Sequence, residues 1–393
     1  MTSRIAILFE GDTDRIRGEF TAIHNRVKVM KTYPNISVDV FVFDFHFGDV
    51  LTKIKGKKIR ERKCTFTFDG VSYCCIWYKR SLLDFLCRRF LKMSTSIEER
   101  RVAEKRDYFS TYNLLYANSL KTGLLALELK KHKNIPFVVA WHGSSIHTNP
   151  FKYTHIYKST KRVLEAANHN FFVSDELYHI AKDITINFVG SVSYNGVDTK
   201  LFREYSPEEK GNLYVILGIN RFEKNVAFVG NDLPVKNIEF LPRLFGEIKK
   251  QIPKCAFYVI GKGNFGKLFE NTHITITNLE VPNTKMPLWY NCMNLVVMPS
   301  FHEGLPMTCL EATACGVPFI GSRVGAISDV VGVENTIPHG KDFEKMFIDK
   351  CIKTLNNYTE IVLPESFRLS LIVEKEISII EQIILNSKLE YNA

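Results

Sequence analysis

The sequence predicts an α/β protein built from two Rossmann-like domains. Three observations predict it. The 393 residues exceed what one ordinary core encloses and suit two domains of similar size. Short apolar runs alternate with helix-spaced segments through both halves, the pattern of parallel sheets covered by helices on both faces. A polar, turn-rich stretch near residues 200–212, KLFREYSPEEKGN, interrupts that alternation and marks a boundary.

In the first half, residues 5–9 read as a short buried strand, 18–30 as a helix and 38–43 as the next strand. VSYCCIWY is another strand-like run. Residues 53–63, KIKGKKIRERK, form a basic run, either a solvated hairpin tip or a contact for an anionic surface. Residues 81–94 read as a basic amphipathic helix. Leu82, Leu83, Leu86 and Phe90 form its stripe, with Arg88, Arg89 and Lys92 largely off it. Such a helix either packs on a sheet or lies on a membrane. Residues 135–140 form a strand entering a loop with His142, and 170–173 another, closed by Ser174 and Asp175.

The second half repeats the style. Strands are predicted at 226–229, 256–260, 273–276 and 295–298, with one more beginning at 319–321. Helices are predicted at 241–251, 285–292 and 306–315; the last has Pro at its start and Gly316 just past its end. Residues 370–389 carry helical apolar spacing.

Composition narrows the class. The chain is 45% hydrophobic and 24% charged, and no apolar run approaches the roughly 20 residues that span a bilayer. MTSRIAILFEGD reads as a strand and has no signal-peptide pattern. Nine cysteines without a CxxC pair suit a reduced, cytosolic chain better than a disulfide framework or zinc site. Residues 1–200 hold 32 Lys+Arg against 20 Asp+Glu, and residues 201–393 hold 20 against 22. The excess lies mainly between residues 51 and 133. Such a half suits an anionic membrane surface, a phosphate-bearing acceptor or nucleic acid. The basic run lacks interleaved aromatics, so no nucleic acid is expected.

The chemistry concentrates in PSFHEGLPMTCLEATACGVPFIG, residues 299–321. A strand ends, a loop carries Glu303, and a helix opens near Pro306 and carries Glu311, eight residues after Glu303. A helix opening offers free N–H groups and a positive dipole end, a ready site for phosphate. A carboxylate about a turn and a half inside can accept two hydrogen bonds from a ribose diol.

EGLPMTCLEATACGVPFIG resembles the E-x7-E signature of family 4 retaining glycosyltransferases, with its trailing A-x-G-x-P. Four more segments resemble that family in order: VAWHG with His142, SYNGVDTKLF with Asn195 to Asp198, FVGND…VKN with Gly230 and Lys236, and FYVIGKG with Gly261 and Gly263. The likeness runs from about residue 135 to 330, is weak before that, and is absent over 50–130. It implies the GT-B fold: two Rossmann-like domains facing a cleft, with the C-terminal helix crossing back to the N-domain. The domains would be 1–203 for the acceptor, 204–368 for the nucleotide-sugar donor, and 369–393 for that helix.

Site residues follow from the resemblance. Glu311 binds the donor ribose, Glu303 sits near the transferred sugar, Lys236 stabilises the leaving diphosphate, and His142 lines the reaction centre. Gly304, Leu305, Pro306 and Met307 lie where the helix opens towards the donor phosphates. Gly18 occupies the place of a phosphate-approaching Gly-rich loop, although Arg17 precedes it where a glycine pair is usual. Gly230 and Gly261 belong to the donor-side turns. Asn231 stands where the family has Arg, and Arg221 in INRFEKN is a candidate substitute.

The resemblance implies a retaining, metal-independent hexosyl transfer from a UDP- or GDP-linked sugar, with no cofactor. The acceptor would be a saccharide or lipid-linked glycan of the cell envelope. The enzyme would be cytoplasmic, or peripheral on the inner face of the membrane through residues 53–63 and 81–94. No His/Cys spacing suggests a metal, and the one DxD-like pair, Asp12 and Asp14, lies in the acceptor half. Other classes stay open. GKGNFG after the strand at 256–260, with Glu280 beyond it, matches a dinucleotide fingerprint and would suit an oxidoreductase. A nucleotide-sugar epimerase of the same fold and a binding-only relative also remain.

Overall fold

The computed structural model describes residues 2–11, 18–47, 64–80, 107–357 and 361–392. The basic segments 53–63 and 81–94 and the pair Asp12 and Asp14 lie outside the described residues. The chain divides into two compact units: residues 1–194 with 372–393, and residues 195–371.

The first unit is an eight-stranded sheet in the order β3-β4-β2-β1-β5-β6-β7-β8. Its strands are β1 (Ser3–Glu10), β2 (Ile36–Phe47), β3 (Thr65–Phe68), β4 (Val71–Arg80), β5 (Leu114–Ala117), β6 (Phe137–Trp141), β7 (His169–Phe172) and β8 (Gly190–Val192). All neighbours are parallel except β3 and β4. That hairpin closes through Asp69 and Gly70, both at positive φ, the geometry a two-residue Asp-Gly turn supplies. β5 and β6 are buried on both faces, so they read as continuous apolar runs rather than alternating ones.

The helix Leu369–Asn392 is grouped with this unit from Ile372 onward. Its Glu376 is 1% exposed and forms an ion pair at 3.0 Å with Arg26 of the helix Gly18–Met30, itself 3% exposed. Tyr116 of β5 donates to the same carboxylate at 3.1 Å, and Ser193 donates to its other oxygen. A buried charge persists where its lone pairs are filled in this way.

The second unit is a six-stranded parallel sheet in the order β11-β10-β9-β12-β13-β14. The strands are β9 (Lys224–Val229), β10 (Cys255–Ile260), β11 (Ile276–Leu279), β12 (Leu295–Met298), β13 (Phe319–Ser322) and β14 (Thr336–Ile337). The order steps outward one way from β9 and then the other way from β12. That makes the β9/β12 junction the topological switch point, outside whose carboxyl ends open α/β sheets bind ligands.

Three sequence expectations differ. The strand expected at 273–276 runs Ile276–Leu279, because residues 272–275 turn: Thr272 Oγ1 accepts from Ile274 N. The helix expected at 285–292 is shorter, a 3-10 turn Asn283–Lys285 leading into Met286–Tyr290. The stretch near 200–212 holds a helix, Pro207–Leu217, not only turns. Ser206 accepts from Glu209 N while the Glu209 side chain accepts from Ser206 N, a capping box that stabilises the helix start.

Candidate active site

Two loops leave the switch point. The loop after β9 carries Gly230 and Asn231 into a 3-10 turn, Pro234–Lys236. The loop after β12 carries Ser300 to Pro306 into the helix Met307–Ala314. A backbone hydrogen bond joins them, Phe301 N to Val235 O at 2.8 Å. That register brings Lys236 Nζ to 2.6 Å from Glu303 Oε1, with side chains 18% and 12% exposed. The pair is therefore largely withdrawn from water, and removing either member would leave the other uncompensated.

The Glu303 loop is fixed from behind. Gly325 sits at φ +54, and a Cβ there would stand 2.0 Å from Gly304 O and 2.5 Å from Glu303 O. Ala326 N donates to Gly304 O at 2.8 Å. Asn195 Nδ2 donates to Leu305 O at 3.3 Å, and His339 Nε2 donates to Ser300 O at 3.0 Å. Pro306 precedes the helix and has no N–H, and no side chain caps the first turn. The helix thus presents open N–H groups beside a lysine, the combination that favours a bound phosphate.

Glu311 lies inside that helix at 3% exposure. Its Oε1 accepts from Asn283 Nδ2 at 2.9 Å and its Oε2 from the Tyr290 hydroxyl at 3.0 Å. Burial raises its pKa, and these two donors pull it partly back. Tyr290 is fully buried, whereas Asn283 is half-buried.

The remaining candidates fall as follows. Asn231 Oδ1 accepts from Lys262 N at 3.0 Å and ties its loop to the next turn. Gly261 is required there, since a Cβ would sit 2.0 Å from Gly230 O. Arg221 precedes β9, whereas Gly230 to Lys236 follow it, so a strand rising about 3.3 Å per residue separates them. Arg221 is exposed, with its guanidinium 4.8 Å from the centroid of its neighbour Phe222.

In the GKGNFG turn Gly261 and Gly263 are closely packed, whereas Gly266 has open space around it. A Cβ at Gly263 would meet Asp232 Cβ at 2.2 Å, and the helix that follows, Phe265–Phe269, has five residues. A dinucleotide fingerprint needs its second glycine open to the pyrophosphate, and here that glycine, Gly263, packs against Asp232, so this geometry disfavours the oxidoreductase reading.

In the first unit, His142 follows β6 directly. Burial, and then the charge of Arg26, hold its pKa down to about 3, so it is a neutral imidazole at any physiological pH. Gly18 begins the helix Gly18–Met30 of the same unit. Among the described residues no group of three or more His, Cys, Asp or Glu is arranged to hold a metal ion, and no helix is long and apolar enough to cross a membrane.

Sequence reasoning missed Asn283, Tyr290 and Gly325. The first two lie 28 and 21 residues before Glu311 and only the fold brings them together. Gly325, within SRVGAIS, carried a local signal, since an isolated glycine after a strand often marks a close backbone approach.

Comparison with known proteins fits this geometry. Residues 223–357 match the family model described as glycosyl transferases group 1. The Bacillus subtilis protein named as a teichuronic acid biosynthesis glycosyltransferase, TuaC, is 28% identical over 233 residues, 59% of this chain and 58% of TuaC. The Escherichia coli UDP-Gal:alpha-D-GlcNAc-diphosphoundecaprenol alpha-1,3-galactosyltransferase is 28% identical over 237 residues, 54% of this chain and 58% of that enzyme. The chain therefore spans less than two thirds of these relatives' lengths. The sucrose-phosphate synthase of Thermosynechococcus elongatus superposes with a TM-score of 0.68 at 16% identity, covering 99% of this chain and 98% of that one. The fold is GT-B.

Proposed function

We propose that this protein is a retaining, metal-independent glycosyltransferase that moves a sugar from a nucleotide-sugar donor to a saccharide or lipid-linked acceptor in cell-envelope glycan synthesis. One observation carries the donor site: the largely buried Lys236–Glu303 pair stands at the switch point beside an uncapped helix N-terminus, with Glu311 inside that helix; retention rests on the family resemblance alone. Breaking the anomeric C–O bond leaves positive charge on the sugar and negative charge on the diphosphate. Lys236 and the helix N–H groups oppose the negative charge, and Glu303 faces the sugar. The acceptor oxygen bonds to the anomeric carbon as the donor oxygen leaves, and the acceptor's proton passes to the departing diphosphate. His142 belongs to the acceptor side, where a neutral imidazole can accept or donate one hydrogen bond. The names of TuaC and of the galactosyltransferase support an envelope acceptor, and the latter's UDP-Gal supports a uridine donor. The basic half of the chain supports a peripheral position on the inner membrane face.

The test is nucleotide release from UDP-, GDP- and ADP-sugars with excess chelator present, with the sugar product examined by NMR. The reading expects release from one donor at a rate the chelator leaves unchanged, with the anomeric configuration kept. Activity abolished by chelation and restored by a divalent ion contradicts metal independence. Free epimerised nucleotide sugar without transfer points to the epimerase.

A further inference from the structure

Glu311 is a buried carboxylate with two donors already in place, and they differ in a way that matters. Tyr290 is part of the core, 1% exposed, and belongs to the helix Met286–Tyr290. Asn283 is half-buried and opens the three-residue turn Asn283–Lys285, reached from β11 through Glu280–Pro282. No side chain caps that turn. Its amide donates to Glu311 Oε1 at 2.9 Å from a half-buried position, whereas the Tyr290 donor is sealed in the core.

We propose that Asn283 is a positioning residue that holds Glu311 Oε1 and yields it to a ribose hydroxyl of the donor nucleotide. This rests on the donor-site reading above. The exchange has a defined cost. In the free protein the Asn283 amide satisfies a carboxylate that has lost its water. A ribose hydroxyl entering there replaces an existing charge-assisted hydrogen bond instead of adding one. The net gain from the ribose is then small, because a bond is made and a bond is lost. Without Asn283, Oε1 would wait with its bond unmade, and the ribose would supply the whole bond. Asn283 therefore lowers the protein's dependence on the ribose hydroxyls and makes nucleotide release easier.

The experiment titrates UDP, GDP and ADP, each beside its 2′,3′-dideoxy counterpart, into the full chain and into N283A and E311Q by calorimetry. For the nucleotide that binds, the ratio of ribo to dideoxy affinity should be about tenfold higher in N283A than in the wild type. A merely structural role for Asn283 would shift both affinities together and leave the ratio unchanged; that result overturns the proposal. E311Q should bind the ribonucleotide more weakly than the wild type. If E311Q is weakened but N283A keeps the wild-type ratio, the exchange at Asn283 fails and the ribose reading of Glu311 stands. If E311Q binds like the wild type, or none of the six nucleotides binds, the donor-site reading fails and takes this proposal with it.

Discussion

At the scale of single residues, environment decides what each group can do. Glu311 and His142 are both pushed towards neutrality by burial, with opposite consequences for pH. His142 has its folded pKa lowered from 6.5 to about 3, so the unfolded chain binds the proton more readily. Its contribution to stability is complete above pH 6.5 and is lost as pH falls towards 3, with a slope of up to about 1.4 kcal/mol per pH unit. Glu311 has its folded pKa raised, so its contribution is present below the unfolded value and declines as pH rises through the folded one. An NMR titration of the His142 ring is expected to show no midpoint between pH 5 and 8; a midpoint near 6.5 would place the ring in water. The spacing of Glu303 and Glu311 was legible in the sequence because a loop, a proline and a terminal glycine fix the start and end of one helix, whereas Lys236 was reached only through the likeness of FVGND…VKN to the family motif. The donors to Glu311 were not, because a side chain's partners depend on tertiary packing that no local spacing encodes.

At the scale of elements, the parallel strands were legible because burial on both faces makes them unbroken apolar runs. The helix Pro207–Leu217 was hidden by its polar first turn, although Ser206 and Glu209 form a capping box that could have announced it. The Asp69-Gly70 hairpin left the same kind of unused signal. The element that most constrains the candidate site is the backbone after β13. Gly325→Ala puts a Cβ against Gly304 O at a positive φ, so the Glu303 loop must move. A loss of about 1–3 kcal/mol in urea unfolding is expected, together with a fall in donor turnover. Unchanged turnover would detach that loop from catalysis. In the first unit, Glu376→Ala strands Arg26 without its buried partner and is expected to cost about 3–5 kcal/mol, read from the same unfolding curves. A cost below 1 kcal/mol, roughly that of a surface pair, would mean water reaches Arg26.

At the scale of the whole molecule, two halves of different charge share one chain. The first half carries the cationic excess and the second is nearly neutral, which suits one unit that meets an anionic partner and another that holds a small ligand. The full chain is expected to sediment with vesicles containing phosphatidylglycerol at low salt, and to release as ionic strength rises. Failure to bind at low salt would remove the membrane from the account and leave the donor site untouched. The second unit's strand order was not written in the sequence, since periodicity gives strands and not their neighbours; the order is what sets Lys236 and Glu303 side by side. The central claim is that this switch point binds a nucleotide sugar. The most direct measurement compares nucleotide release from the UDP-, GDP- and ADP-sugar panel by the wild type and by Glu311→Ala. Slow hydrolysis of one donor, lost in the variant, is the predicted result. Equal hydrolysis by both proteins, or none by either with NAD bound instead, would contradict it.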